Sequence, residues 1–242
     1  MATLASEFHS PVFSKILLFD IDGTLLLSGR AGYRALTRAF EDLFGVARGF
    51  DHVPVAGMTD DLILTDALAR AGVTADGEAR ARFHRRYCEL FADEIHFPGP
   101  RKGLMPGVSA LLERLSHLDQ IRCGLVTGNF AEPAQIKLRH FDLWHFFHFG
   151  AYGDDAPVRD ALVPIAVERA GRDGVRVHAA ADVVVIGDTP LDVQCAAAAG
   201  ARSIAVATGS YEEDALRQAD AHAVLPDFSD TDAVVELLLA GS

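Results

Sequence analysis

Short apolar runs that alternate with helix-like segments constrain the fold of this chain more than any other feature. Four such runs stand out, at Lys15–Phe19, Ile121–Val126, 183–186 and 203–206. Helix-like segments lie between or beside the later runs, at 108–118, 131–141, 162–170 and 191–199. Strands that alternate with helices form parallel sheets with helices on both faces. Weaker strands are expected at 147–151 and 223–225, so the sequence predicts an α/β core.

A block of purely helical pattern interrupts this alternation between about residues 30 and 100. Its apolar residues recur with helical periodicity, and it contains no clear strand. The Pro98-Gly99-Pro100 stretch breaks the pattern, and Pro106 suits the first turn of the next helix. We therefore predict an α/β core made of residues 1–29 and 101–242, with an all-helical unit of residues 30–100 inserted after the first strand.

Composition narrows the range of partners. The chain has 242 residues with a formal net charge of -12 and no run of Lys or Arg, which argues against a nucleic-acid partner. The N-terminus lacks the pattern of a signal peptide, and no apolar run has the length needed to cross a membrane. The three cysteines show neither zinc-site spacing nor a disulfide framework. We expect a cytoplasmic protein that binds a small molecule, as a monomer or a homodimer.

Polar residues follow three of the predicted strands, and ligands of open α/β sheets bind at that edge. The residues are Asp20 and Asp22 after the first strand, Thr127, Gly128 and Asn129 after the second, and Asp188 and Asp192 after the third. One aspartate after a strand is often a helix N-cap, but three such groups at successive strand ends favour a shared site. Clustered carboxylates repel one another, and Mg²⁺ resolves this repulsion because it prefers oxygen ligands and accepts a substrate phosphate.

Three motifs resemble those of the haloacid dehalogenase-like hydrolase superfamily. They are DIDGT at residues 20–24, LVTGN around Thr127 and GDTPLD at residues 187–192. The helical block after the first motif resembles the cap of the phosphoglycolate-phosphatase-like branch. The resemblance covers essentially the whole chain and implies a Rossmann-like parallel sheet with an inserted helical cap. It also implies a Mg²⁺-dependent phosphatase of small phosphorylated metabolites that forms an aspartyl-phosphate intermediate, with a phosphoglycolate-like substrate as one option.

The resemblance assigns roles to the first two motifs. Asp20 looks like the nucleophile, and Asp22 looks like the general acid and base. Thr127 would bind the transferring phosphoryl oxygens, helped by backbone N–H groups near Gly128 and Asn129. Asp22 also separates two reactions, because an alkoxide leaving group needs a proton whereas a halide does not. The residue pair therefore favours phosphoryl transfer over dehalogenation.

The resemblance also implies a magnesium site. The expected ligands are the carboxylates of Asp20 and Asp188 and the backbone carbonyl of Asp22. Asp192 would hold a metal-bound water or ligate the metal directly. Asp188 taken alone could equally be a turn or cap residue, so its assignment depends on the other motifs.

One residue of the family pattern is missing. Members usually carry a lysine well after the second motif, and this stretch of the chain contains Arg159 and no lysine. Lys137, on the helix directly after the second motif, is the other candidate for the missing cation. We favour Lys137 as the cation nearest the nucleophile, with Arg159 supporting or replacing it.

Several alternatives remain open at this stage. In the loop at residues 57–60, Thr59 or Asp60 could touch substrate, but a helix N-cap is the preferred reading because a helical pattern follows. A phosphomutase on the same scaffold is the second enzymatic candidate. A non-catalytic binding protein that keeps the fold is the third, and the intact carboxylates disfavour it. A phosphonate-cleaving enzyme would need a lysine between residues 30 and 100, and that segment has none.

Overall fold

A six-stranded parallel sheet forms the centre of the structure, a computed structural model in which residues 15–240 are described. Its strands lie in the order β5-β4-β1-β6-β7-β8. Their bounds are Lys15–Phe19 for β1, Ile121–Val126 for β4, Phe149–Ala151 for β5, Val183–Gly187 for β6, Arg202–Val206 for β7 and Ala223–Leu225 for β8. The predicted α/β core is confirmed, including both weaker strands. The N-terminal segment predicted to lack a signal peptide lies outside the described residues.

Register explains why the three motifs meet. Phe19, the last residue of β1, pairs with Leu125 on β4 and with Ile186 on β6. All three strands run in the same direction and end at the same edge of the sheet. The residues that follow them therefore leave the sheet side by side, as the sequence predicts.

Six helices cover the two faces of the sheet. They are α4 at Val108–Ser116, α5 at Ala131–His140, α6 at Leu162–Arg172, α7 at Pro190–Ala198, α8 at Glu213–Gln218 and α9 at Thr231–Leu239. Successive residues of β1 point to opposite faces, so Leu17 packs in the cluster that includes α4 and α9, and Leu18 packs in the cluster that includes α6. Burial on both faces explains why β1 is apolar from Ile16 to Phe19.

The helical insertion that follows β1 buries a second hydrophobic cluster, which Phe130 from outside the insertion also joins. It contains α1 at Ala31–Phe44, α2 at Asp60–Ala71 and α3 at Gly77–Glu94. Its buried cluster is rich in aromatic rings, including Phe40, Phe50, Phe83, Tyr87 and Phe91. The chain enters and leaves this insertion through a two-stranded antiparallel sheet of β2, Leu26–Leu27, and β3, Gly103–Leu104. The sequence did not predict this small sheet.

One loop of the insertion docks onto the core. Asp60 donates its backbone N–H to the Gly128 carbonyl at 2.8 Å, and its carboxylate accepts the Phe130 N–H at 2.8 Å. A Cβ at position 128 would lie 2.1 Å from the Met58 carbonyl oxygen, so glycine is needed for this approach. Thr59 caps α2 by accepting the Leu62 N–H, which confirms the N-cap reading.

A second contact between insertion and core involves a histidine. His84 on α3 lies 3.2 Å from Asp154, which follows β5. The hydrogen bond to Asp154, with the nearby Glu132 and Asp60 carboxylates, raises the pKa of His84 above its usual 6.5. Protonated His84 therefore holds α3 against the core more strongly than neutral His84 does.

Stability should consequently depend on pH through His84. Because the folded-state pKa is raised, the stabilisation is fully present below the unfolded-state pKa and is lost as pH rises through the folded-state value. We expect His84→Gln to lower the free energy of unfolding more at about pH 5.5 than at about pH 8.5. Urea unfolding of both proteins at the two pH values measures this. An equal loss at both values would contradict the prediction.

Two further features of the described residues concern membrane-spanning helices and cysteines. No helix between residues 15 and 240 is both long and apolar enough to cross a bilayer. All three cysteines are free and buried. Burial raises the pKa of Cys123 and Cys195 to about 12, so these thiols stay protonated and pack as apolar groups.

Candidate active site

A cavity of about 500 Å³ lies between the carboxyl edge of the sheet and the helical insertion. The core contributes polar side chains to its wall, including Asp20, Asp22, Asn129, Lys137, Arg159 and Asp188. The insertion contributes mainly apolar and aromatic side chains, including Tyr33, Leu36, Met58, Ile63 and Tyr87. The cavity therefore joins a charged end to an apolar end, which suits a ligand with one anionic group.

Three buried carboxylates meet at the charged end. Asp20, Asp188 and Asp192 are each at most 5% exposed, and one oxygen of each lies within 4.8 Å of the others. Burial raises the pKa of Asp20 to about 6 and that of Asp188 well above its usual range, and neighbouring carboxylates add to both shifts. A cluster that resists ionisation in this way needs a cation, and its oxygen atoms fit Mg²⁺.

The glycine and threonine of the first motif position Asp188. Gly23 has a φ of 85°, and a Cβ there would lie 2.4 Å from a carboxylate oxygen of Asp188. The Thr24 hydroxyl donates to the other oxygen of Asp188 at 3.1 Å. The turn thus requires glycine for its conformation and for the close approach of Asp188.

The two candidate cations take different partners. Nη2 of Arg159 lies 3.1 Å from Asp20 and also contacts Asp192, and Arg159 is only 6% exposed. Lys137 instead lies against Asp22, with Nζ 2.5 Å from its carboxylate. The structure corrects our preference for Lys137 as the cation nearest Asp20. The reason is that α5 directs Lys137 towards the more exposed Asp22, while the turn before α6 brings Arg159 beneath the buried cluster.

A polar network holds Asp22. The Asn129 side-chain NH₂ donates to Asp22 and to the Thr127 hydroxyl, both at 2.8 Å, and Lys137 donates to the side-chain oxygen Oδ1 of Asn129 at 2.6 Å. The Thr127 hydroxyl also accepts the Asn129 backbone N–H, and its own hydrogen has no acceptor among residues 15–240. Asn129 therefore orients Asp22 through its side chain, a contact that the sequence-based expectation of a backbone role did not include.

Asp192 has a structural partner for each oxygen. One oxygen accepts from the Thr189 N–H at 3.0 Å and from the Thr189 hydroxyl at 2.7 Å, in the capping box of α7. The other oxygen contacts Arg159. The expected metal role of Asp192 stays a prediction, and Asp20 and Asp188 are the carboxylates of the cluster that face the cavity.

Tyr87 and Arg101 are among the cavity residues that the sequence analysis did not identify. Tyr87 lies on α3, where helical periodicity indicates an apolar face and gives no sign that the hydroxyl reaches a site. Arg101 enters the wall from the segment after the insertion and donates to the Thr208 carbonyl at 2.9 Å. No motif marks either residue, because both reach the cavity through long-range packing.

One class of hydrolases combines a parallel sheet, with motif residues at its carboxyl edge, and a helical insertion beside that edge. This chain has both features. Residues 17–206 match the family model described as haloacid dehalogenase-like hydrolase. The chain belongs to this family.

Individual relatives agree with the family match. The phosphoglycolate phosphatase of Aliivibrio fischeri is 26% identical over 237 residues, which cover 92% of this chain and 97% of that protein. The phosphoglycolate phosphatase of Rhodospirillum rubrum is 28% identical over 229 residues, covering 89% and 88%. The structure of CbbY from Rhodobacter sphaeroides in complex with phosphate has a TM-score of 0.70 at 20% identity and covers 90% of this chain and 96% of that one. These similarities confirm the predicted fold, the phosphoglycolate-phosphatase-like branch and an enzyme of the phosphatase type.

Proposed function

We propose that this enzyme is a Mg²⁺-dependent phosphatase of small phosphorylated metabolites that acts through an aspartyl-phosphate on Asp20. The observation that carries the proposal is the different setting of the two motif aspartates. Asp20 is buried beside Asp188 and Arg159, whereas the Asp22 side chain is 38% exposed and held by Lys137 and Asn129. One carboxylate suits attack on phosphorus, and the other suits proton transfer to and from groups in the cavity.

The proposed reaction has two steps. In the first, an Asp20 oxygen bonds to phosphorus, the bond from phosphorus to the ester oxygen breaks, and Asp22 gives its proton to the departing alcohol. In the second, Asp22 takes a proton from water, the water oxygen bonds to phosphorus, and the bond to Asp20 breaks to release inorganic phosphate. Microscopic reversal of the proton transfer lets one residue serve both steps.

Other side chains of the site stabilise charge and geometry. Arg159 balances the carboxylates of Asp20 and Asp192, and Thr127 offers its free hydroxyl hydrogen to a phosphoryl oxygen. Bound Mg²⁺, held by Asp20, Asp188 and the Asp22 carbonyl, would neutralise phosphate charge as a Lewis acid. We also propose that residues 30–100 act as the cap, because they form the apolar wall of the cavity and exclude water from the reacting groups.

A screen of phosphorylated metabolites with Mg²⁺, with inorganic phosphate as the readout, tests the proposal. 2-Phosphoglycolate is the first compound to include, because two relatives are named as its phosphatases. Hexose 1-phosphates belong in the same screen, because a cavity of about 500 Å³ also accommodates a phosphosugar. Isomerised sugar phosphate without free phosphate would overturn simple hydrolysis and indicate the phosphomutase alternative.

Mg²⁺ and the substitution Asp188→Asn should each raise the melting temperature, but their effects should not add. We expect saturating Mg²⁺ to raise the melting temperature of the wild type by about 5–10 °C, because a ligand bound only by the folded state stabilises it. Asp188→Asn should melt higher than the wild type without metal, because the pKa of Asp188 shows that its charge is unfavourable in the cluster. The same variant should not respond to Mg²⁺. Asp66→Asn, on the exposed face of α2, serves as the control and should respond as the wild type does.

A further inference from the structure

The Tyr87 hydroxyl is a polar group of the cavity wall that the proposed mechanism does not use. Tyr87 is 1% exposed and lines the cavity from α3. Its hydroxyl has no hydrogen-bond partner among residues 15–240. Because Tyr87 lines the cavity, its unpartnered hydroxyl is available to a ligand or to a water molecule that a ligand displaces.

Aromatic packing fixes where the hydroxyl points. The Tyr87 ring stacks on the Phe83 ring, with 6.4 Å between the ring centroids. It also makes edge contacts with the rings of Phe91 and Phe130, at centroid distances of 5.9 Å and 6.2 Å. A Cβ at Gly32, which also lines the cavity, would lie 3.6 Å from the hydroxyl oxygen. The hydroxyl is therefore held at the cavity wall with little freedom to find another partner.

The surroundings keep the hydroxyl a neutral donor. Burial, followed by the carboxylates of Asp60 and Asp22, raises the pKa of Tyr87 well above its usual range. Tyr87 packs on Phe91, the Phe91 ring centroid lies 5.6 Å from Lys137 Nζ, and Lys137 contacts Asp22. Tyr87 therefore lies on the side of the cavity where the leaving alcohol would be protonated. Asp60 and Asp22 supply two carboxylates on this side of the cavity, and Lys137 supplies one compensating positive charge. A second anionic group next to Tyr87 would therefore face an excess of negative charge, so a neutral oxygen is the favoured acceptor.

Other residues of the insertion do not offer the same contact. The Tyr33 hydroxyl, the other tyrosine hydroxyl of the insertion, already donates to Asp51 at 2.7 Å. Leu36, Met58 and Ile63 present apolar side chains to the cavity. Arg30 also lines the cavity, with its guanidinium over the Tyr33 ring at 5.2 Å from the ring centroid. Tyr87 is thus the tyrosine donor among the apolar side chains of this wall, and such a donor discriminates because a ligand without an acceptor leaves it unpaired.

We infer that Tyr87 is a specificity-determining residue whose hydroxyl donates a hydrogen bond to a neutral hydroxyl oxygen on the leaving group of the substrate. The inference rests on the proposed phosphatase function and deepens it. The substrate class is then a phosphomonoester of a small polyol, with at least one hydroxyl besides the ester oxygen. The carbon chain of that polyol would pack on the apolar wall of the insertion.

Two compounds with the same carbon chain test this inference. Glycerol 3-phosphate carries two hydroxyl groups on its leaving group, and n-propyl phosphate carries none. We expect wild-type kcat/KM to be about tenfold or more higher for glycerol 3-phosphate. Tyr87→Phe should lower kcat/KM for glycerol 3-phosphate about tenfold to a hundredfold, and that for propyl phosphate less than about threefold.

Tyr33→Phe is the matched control. It removes a hydroxyl from another ring at the same cavity, but that hydroxyl already binds Asp51, so the ratio of the two kcat/KM values should stay at the wild-type ratio. The ratio also stays interpretable if either variant is less stable, because partial unfolding lowers activity towards both compounds equally.

The possible outcomes separate this inference from the proposed function. Equal losses for both compounds in Tyr87→Phe, or the absence of a wild-type preference for glycerol 3-phosphate, would overturn the role of Tyr87 while hydrolysis itself stands. Failure of the wild type to release phosphate from these or any other screened phosphomonoester would overturn the proposed function, and the inference with it.

Discussion

Asp20→Asn should reduce the release of phosphate from p-nitrophenyl phosphate by about a thousandfold or more, because an amide cannot form the covalent intermediate. The substitution keeps the shape of the side chain and the possibility of a hydrogen bond from Arg159. It also removes a buried charge whose pKa is raised to about 6, so the folded state should be preserved or stabilised. Steady-state kinetics and thermal melting measure the two effects.

A control and a direct readout complete this test. Asp66→Asn, on the exposed side of α2 and paired with Arg70, should retain wild-type activity. Acid quenching during turnover of a substrate labelled at phosphorus should trap label on the wild-type protein and not on Asp20→Asn. Retention of most activity by Asp20→Asn would show that another residue is the nucleophile.

The parts of the fold that the sequence predicts are those set by local pattern. Every residue of β1 and β6 is buried in the structure. Burial on both faces of the sheet requires mostly apolar residues, and this apolar run is the pattern from which the sequence predicts both strands. Because the strands are parallel, the motif residues meet at one edge of the sheet, and the sequence alone therefore predicts the candidate site. The helices of the insertion follow from 3.6-residue periodicity in the same way.

The parts that could not be predicted depend on long-range geometry. Whether Lys137 or Arg159 reaches Asp20 is decided by the direction in which α5 and the turn before α6 leave the sheet. The sheet of β2 and β3 has two residues in each strand, which is too short for a pattern. Short helices such as α8, with six residues, are equally hard to distinguish from loops.

Asp22→Asn should slow the hydrolysis of alkyl phosphates by about a hundredfold to ten-thousandfold, because the leaving alkoxide loses its proton donor. The substituted side chain can still accept from Lys137 and Asn129, which hold the carboxylate in place in the wild type. Lys137→Met is the companion variant, since it keeps Asp22 but removes one of its two anchors. Its loss should be smaller, because Asn129 continues to orient the acid.

A comparison of two leaving groups tests whether the role of Asp22 is proton transfer. p-Nitrophenolate departs without a proton, so Asp22→Asn should still complete the first step with p-nitrophenyl phosphate and then stall, because no base activates water. Rapid mixing should therefore show a burst of about one equivalent of p-nitrophenolate per active site, followed by slow turnover, and acid quenching should trap phosphorylated protein. n-Propyl phosphate should give neither burst nor trapped protein with this variant. Equal slowing of both compounds without a burst would assign Asp22 to holding the site rather than to moving the proton.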